Sequence, residues 1–265
     1  MRQKIIVITG SSSGIGEALA NYFLDKGHQV YGLSRSKKEN TKFVHIPTDV
    51  TDQNNVYASI QKIVEESGRI DVLVNNAGIG MLGAIEDLKK EDFDKLIDVN
   101  VYGSVYTMQA VLPLMRLQKS GHIINISSIA SNHGLPFRGC YSASKAAIDR
   151  ITESVRLENQ DTGIEIFTLN LGDIQTPIAE SRIYSTVSGF YKASFQKLQA
   201  VIDEEVTRGM PADKIPPLVE NFIHRKNLKS HYTIGKPIQK FSVTLKRILG
   251  QRYFEKLLAS YSKLK

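Results

Sequence analysis

Tyr141 and Lys145, four residues apart in the run Tyr141-Ser142-Ala143-Ser144-Lys145, form the pair with the clearest capacity for chemistry in this sequence. On a helix, positions i and i+4 share a face, so phenol and ammonium become neighbours. A tyrosine with a pKa near ~10 is about one part in a thousand ionised at pH 7. A fixed cation beside it favours the phenolate, and lowering the pKa by about two or three makes it a usable acid–base group near neutrality. Ser128, on the loop after the apolar run His122–Ile126, can hold a substrate oxygen by hydrogen bond. Any isolated Y-x-x-x-K is usually surface chemistry, so the weight of this one depends on its company.

That company begins at Thr9-Gly10-Ser11-Ser12-Ser13-Gly14-Ile15-Gly16, where the first apolar run meets the first helical pattern. A pyrophosphate needs backbone N–H groups at close range with a helix N-terminus behind them. Glycines permit both the tight turn and the close approach. Their order here is G-x-x-x-G-x-G, wider than the G-x-G-x-x-G of other dinucleotide folds. The second strand ends in Ser34-Arg35-Ser36-Lys37-Lys38, where an acidic residue would hold the adenosine ribose hydroxyls. Arg35 instead offers a planar fork of charge-assisted donors suited to a 2′-phosphate. NADP(H) is therefore preferred over NAD(H).

The elements that must position these groups follow a βαβ rhythm. Strands are expected at Lys4–Thr9, Gln29–Leu33, Phe43–Pro47, Val72–Asn75, His122–Ile126 and Ile164–Asn170, several of them continuous Ile/Val/Leu runs that read as buried on both faces. Helical patterns fill 14–26, 53–67, 91–116 and 142–160. The expected fold is α/β, a doubly wound parallel sheet in one domain over 1–265. After Thr176 no further strand is expected until a short one at Ser230–Ile234, and 211–225 reads as a helix opened by Pro211 and Asp213. Residues 177–225 are expected to form a helical substrate lid, and 226–265 a basic amphipathic extension with a stripe of Phe254, Leu257, Leu258 and Tyr261.

The glycine turn, Asn75-Asn76-Ala77-Gly78, Asn100 and Ser128…Tyr141-Ser142-Ala143-Ser144-Lys145 resemble the short-chain dehydrogenase/reductase family in order and spacing, from Lys4 to about Thr176. The resemblance implies that Tyr141 is the catalytic acid/base and that Ser128 orients and polarises the substrate oxygen. Lys145 resembles the lysine that lowers the tyrosine pKa and bonds the nicotinamide ribose. Asn100 matches the asparagine holding a water in a proton relay. Gly10, Ser12, Ser13, Gly14, Ile15 and Gly16 match the phosphate turn, and Ser34 and Arg35 the ribose end. Asp49-Val50 match the adenine contact, Asn76, Ala77 and Gly78 the cleft wall, and Ile174 and Thr176 the carboxamide grip. Members usually carry Pro-Gly where this chain has Leu171-Gly172, which puts the rigidity of that loop in question.

A weaker similarity, through Gly134-Leu135-Pro136-Phe137 and the basic tail, points to retinol, steroid and general carbonyl reductases. It implies an apolar, lipid-like alcohol or ketone beneath a lid bearing Ile183, Tyr184, Phe190, Tyr191 and Phe195. Family members dimerise through helices matching 101–116 and 142–160, and apolar residues such as Val105, Met108, Val111 and Leu112 suit that use, so a homodimer or homotetramer is expected.

Composition narrows the alternatives. Apolar residues at 42% and charged residues at 23% are ordinary for a globular chain of 265 residues. A lone cysteine, Cys140, precludes an internal disulfide. The apolar start is too short for a secretory signal, and no stretch approaches the ~20 residues that span a bilayer. The expectation is a soluble, cytoplasmic protein. No His/Cys/Asp/Glu cluster has metal-ligand spacing, so no metal is expected. His133, Cys140 and Asp173 near the site lack an orienting partner; His133 reads as polar loop surface.

The net charge of +7 is uneven, because residues 221–265 hold eleven Lys/Arg against one acidic residue, Glu255. A basic end can be solvated surface, cover a neighbouring subunit, or lie on a membrane as a peripheral contact. Nucleic acid is not expected as a partner, since the motifs give it no support. Two other functions compete. A cofactor sensor without turnover would be expected to lose Tyr141 or Lys145. A sugar-nucleotide epimerase would carry T-G-x-x-G-x-x-G, with which the Thr9–Gly16 spacing disagrees.

Overall fold

Six Ile/Val/Leu-rich runs form the strands β1 (Ile5–Thr9), β2 (Gln29–Ser34), β3 (Val44–Pro47), β4 (Val72–Asn75), β5 (Gly121–Ser128) and β6 (Ile164–Leu171), and a seventh, β7 (His231–Ile234), completes the sheet. All pairings are parallel, in the order β3-β2-β1-β4-β5-β6-β7. The order reverses between β1 and β4, which leaves a crevice beyond the carboxyl ends of those strands. This is the doubly wound α/β fold, in a computed structural model that describes residues 2–36 and 41–262. Lys37 and Lys38 lie outside the described residues.

Period-two alternation on β1 divides the core. Ile6 and Ile8 pack with Phe23, Phe167, Ile215 and Val219 on one face. Ile5 and Val7 pack with Tyr31, Ile63, Met108, Val111 and Met115 on the other. Helices α1 (Gly14–Asp25), α2 (Gln53–Ser67), α3 (Lys90–Ile97), α4 (Gly103–Gln118) and α5 (Gly139–Glu158) alternate with the strands. Met108 and Val111 are 2% and 0% exposed, so these two residues line the core and are not a dimer face.

Three expectations need correcting. The helix expected over 91–116 is two helices joined by a wide turn of i→i+5 bonds at Asp98–Tyr102, which carries Asn100. Strands do occur after Thr176, because Ile183–Tyr184 pairs with Met81–Leu82 and Met210–Pro211 with Ile174–Gln175. Two-residue pairings leave no periodicity for a sequence to reveal. Finally, the lid and the tail are shorter than expected. Beyond α6 (Lys192–Thr207), helix α7 (Ile215–Ile223) buries Ile215, Val219 and Ile223 in the core through an i, i+4, i+8 stripe. The segment after it supplies β7, so of the expected extension the described residues leave α8 (Pro237–Leu249) and α9 (Gln251–Tyr261) beyond the last strand.

Candidate functional site

All the expected site residues except Gly16 and Asn100 line one cleft of about 890 Å³ at the carboxyl ends of the strands. Gly16 and Asn100 lie directly behind its wall. At the turn, Gly10 has φ +66° and Gly14 φ +56°, a left-handed backbone that favours glycine. A Cβ on Gly16 would stand 2.2 Å from the Gly10 carbonyl oxygen, so α1 can pass close to β1 only without one. Ser13 caps α1 without a side-chain capping bond, leaving its hydroxyl and the helix N-terminus to a ligand. The turn therefore fits a dinucleotide pyrophosphate.

The wall behind it is buttressed by side chains among those expected at the cofactor site. Asn76 donates from Nδ2 to the carbonyls of Thr9 at 3.0 Å and Gly10 at 3.2 Å, and its N–H donates to Thr9 Oγ1 at 3.0 Å. Its side chain ties the end of β4 to the glycine turn. Ser34 is likewise occupied, donating to Ser36 O at 3.0 Å and lying 2.9 Å from His45 Nε2. Arg35 is exposed on the cleft rim. Asp49 fixes its own loop by accepting from Thr51 N at 3.0 Å and Oγ1 at 2.8 Å. Val50 packs against Gly103 at the start of α4, where an added Cβ would meet its side chain at 2.9 Å. Thr176 closes over the turn, its Cγ2 being 3.2 Å from where a Gly14 Cβ would lie.

At the other end, Tyr141 and Lys145 stand one turn apart at the start of α5. Ser128 caps the short turn after β5 by accepting from Ala130 N at 3.1 Å, and it lines the cleft together with Tyr141. Lys145 Nζ donates to the Ile126 carbonyl at 3.1 Å. Asn100 is 1% exposed, accepts from Ile79 N at 2.8 Å, and donates to Ile79 O at 3.0 Å and Ser144 Oγ at 3.1 Å. Its amide thus clamps the strand-to-cleft backbone to α5, a positioning role beside the relay that the resemblance implies. Asn100 Oδ1 and Lys145 Nζ converge on Gly78, 3.3 and 3.4 Å from where its Cβ would be.

The electrostatics depart from expectation. Burial pushes the Tyr141 phenol above its usual range, opposed by the Ser128 hydrogen bond and then by the charges of Arg138 and Arg182. Burial also lowers the Lys145 ammonium to about 8, with Asp149 pulling the other way. The cation expected to depress the tyrosine is therefore itself costly to charge, and the charges that oppose burial at the phenol are those of Arg138 and Arg182. Arg138 and Arg182, both lining the cleft, were missed in the sequence. Arg138 precedes Tyr141 by three residues, a signal open to reading; Arg182 is brought there by pairing with Asp203 at 2.8 Å, which no spacing indicates.

Two other residues behave differently from their reading. His133 is 7% exposed, packed against Phe254 with centroids 4.7 Å apart and the rings tilted by 47°, and is not polar surface. Leu171 needs no proline to be rigid, because it continues β6 between Ser128 and Ile234, and Gly172 N donates to Ile234 O at 2.7 Å.

Lys145→Met gives a direct test of the buried charge. Below pH 8 the native wild type bears the full cost of burying an ammonium, on the order of 3 kcal/mol for a fall from 10.5 to about 8. Between those values the unfolded chain binds the extra proton, so wild-type stability climbs with pH. The variant should thus be the more stable protein near pH 7, with its advantage gone above pH 10.5. Urea unfolding at several pH values checks this, and an advantage independent of pH would show that the ammonium carries no such cost.

A family model described as short chain dehydrogenase matches residues 4–185. A 3-ketodihydrosphingosine reductase of Bacteroides thetaiotaomicron is 37% identical over 243 residues, covering 90% of each chain. The solved structure of ElxO with NADP bound is 27% identical, with a TM-score of 0.72 over 88% of this chain and 97% of that one. A short-chain dehydrogenase/reductase from Burkholderia phymatum, in complex with NAD, has a TM-score of 0.81 at 23% identity, over 92% and 93%.

Proposed function

The chain belongs to the short-chain dehydrogenase family, and from that premise we propose that it is an NADP(H)-dependent reductase of a lipid-like ketone, with Tyr141 as proton donor. The observation that carries this reading is that Ser128, Tyr141 and Lys145 line the same cleft as the glycine turn and Arg35. NADPH, when bound, supplies the hydride. Ser128 holds the substrate oxygen, and Tyr141 gives that oxygen its phenolic proton as the carbonyl carbon is reduced. A phenol kept protonated by burial suits this direction. Lys145, with one N–H spent on Ile126, has donors left for the nicotinamide ribose. Asn100 keeps Ile79 and α5 in register behind them.

Two features support NADP(H) and the lipid-like substrate respectively. Arg35 stands on the rim where a 2′-phosphate needs a cation, and no carboxylate takes the end of β2. Leu82, Leu198 and Ile202, with Phe137 and Phe195, form an apolar cluster where the lid meets the cleft. The Bacteroides relative's name denotes reduction of a 3-keto lipid. Following NADPH absorbance with 3-ketones of increasing chain length should show kcat/KM rising about tenfold for every two methylenes buried. A flat dependence would remove the lipid reading. NADPH binding without oxidation by any carbonyl would favour a sensor.

A further inference from the structure

Helices α8 and α9 form a hairpin at the substrate side of the cleft. Gln239 Nε2 donates to Asp173 Oδ2, on the cleft wall, and Lys246 Nζ donates to Asn132 O at 2.7 Å, on the turn that Ser128 opens. Phe254, 4% exposed, packs against His133. These inward residues fix how the two helices are rotated, and a set of apolar residues consequently faces away from the protein. On α8, Ile238, Phe241 and Ile248 lie at i, i+3 and i+10 and are 72%, 54% and 70% exposed. On α9, Tyr253, Leu257 and Tyr261 lie at i, i+4 and i+8 and are 66%, 49% and 55% exposed. Among the described residues, seven of the sixteen exposed large apolar side chains sit on this hairpin, far more than its share of the chain. Soluble proteins rarely leave such a surface uncovered without a use for it.

Charge decides what covers it. Lys236, Lys240, Arg252 and Lys256 are exposed around the apolar stripes, and Glu255 is the hairpin's lone acidic residue. A second copy seated symmetrically would set this basic ring against itself, because an isologous interface pairs a patch with its own image. Anionic headgroups neutralise the same ring while the stripes enter the interface, with tyrosines at headgroup depth. We propose that the α8–α9 hairpin docks the enzyme on an anionic lipid bilayer, with the substrate side of the cleft beside the membrane. The argument rests on exposure and charge and holds whatever the substrate is.

The full-length protein is tested by sedimentation with sucrose-loaded vesicles, of phosphatidylcholine alone or with about one-third phosphatidylglycerol. Binding to the anionic vesicles is expected to exceed that to the neutral ones by about tenfold or more and to weaken steeply with salt. Phe241→Ser with Ile248→Ser should reduce it about tenfold or more, and so, independently, should Lys240→Glu with Lys256→Glu. Both variants change exposed residues outside the cleft, so NADPH affinity should be unchanged and serves as the folding control. Failure of the wild type to bind anionic vesicles, or equal binding by wild type and both variants, overturns the proposal. So does a dimer that the Phe241/Ile248 variant dissociates without any loss of vesicle binding, which would assign the face to a second copy.

Discussion

Tyr141→Phe is expected to lower kcat for carbonyl reduction by about 10³-fold or more while leaving NADPH affinity within about twofold. The change removes one oxygen from a partly buried ring on the cleft wall and leaves its volume almost intact, so neither the cleft nor α5 has reason to shift. What is lost is the phenolic proton that the cleft presents beside Ser128. Water is a poor replacement at a site so enclosed that burial dominates the ionisation of both the phenol and Lys145. Single-turnover oxidation of bound NADPH separates the chemical step from binding. Residual turnover above about a tenth of wild type would remove Tyr141 from the role, because general acid catalysis by a positioned group is worth at least about 10²-fold.

The same residues show what a sequence discloses and what it does not. Strands such as Val72–Asn75 were legible because a strand covered on both faces must be apolar throughout. Tyr141 and Lys145 were legible because helical spacing sets them on one face. The wide turn at Asn100 was not, since it depends on which carbonyl each N–H chooses, a choice that leaves apolar periodicity unchanged. Asn76 and Ser34, expected at the cofactor site, also tie the walls of the cleft together through side-chain hydrogen bonds that residue type alone does not reveal. The direction of the Tyr141 shift failed for a related reason. Spacing reveals a neighbouring cation, whereas desolvation depends on every element that closes over the ring, and here it is the larger effect.

Arg35→Asp is expected to invert cofactor preference, moving the ratio of kcat/KM for NADPH over NADH by about 10²–10³-fold. Two contributions act together. Losing a charge-assisted fork to a 2′-phosphate costs about 1.5–3 kcal/mol, and a carboxylate facing that phosphate adds repulsion while offering an acceptor to the free ribose hydroxyls of NADH. Arg35 is exposed on the rim and Ser34 beneath it is tied to His45, so the substitution should redirect specificity without loosening β2. Salt supplies a second readout: the wild-type KM for NADPH should rise with ionic strength more steeply than that for NADH, and the variant should lose the difference. A ratio unchanged by the substitution would mean that Arg35 does not meet the phosphate, and the preference for NADP(H) would then have no residue among those described to carry it.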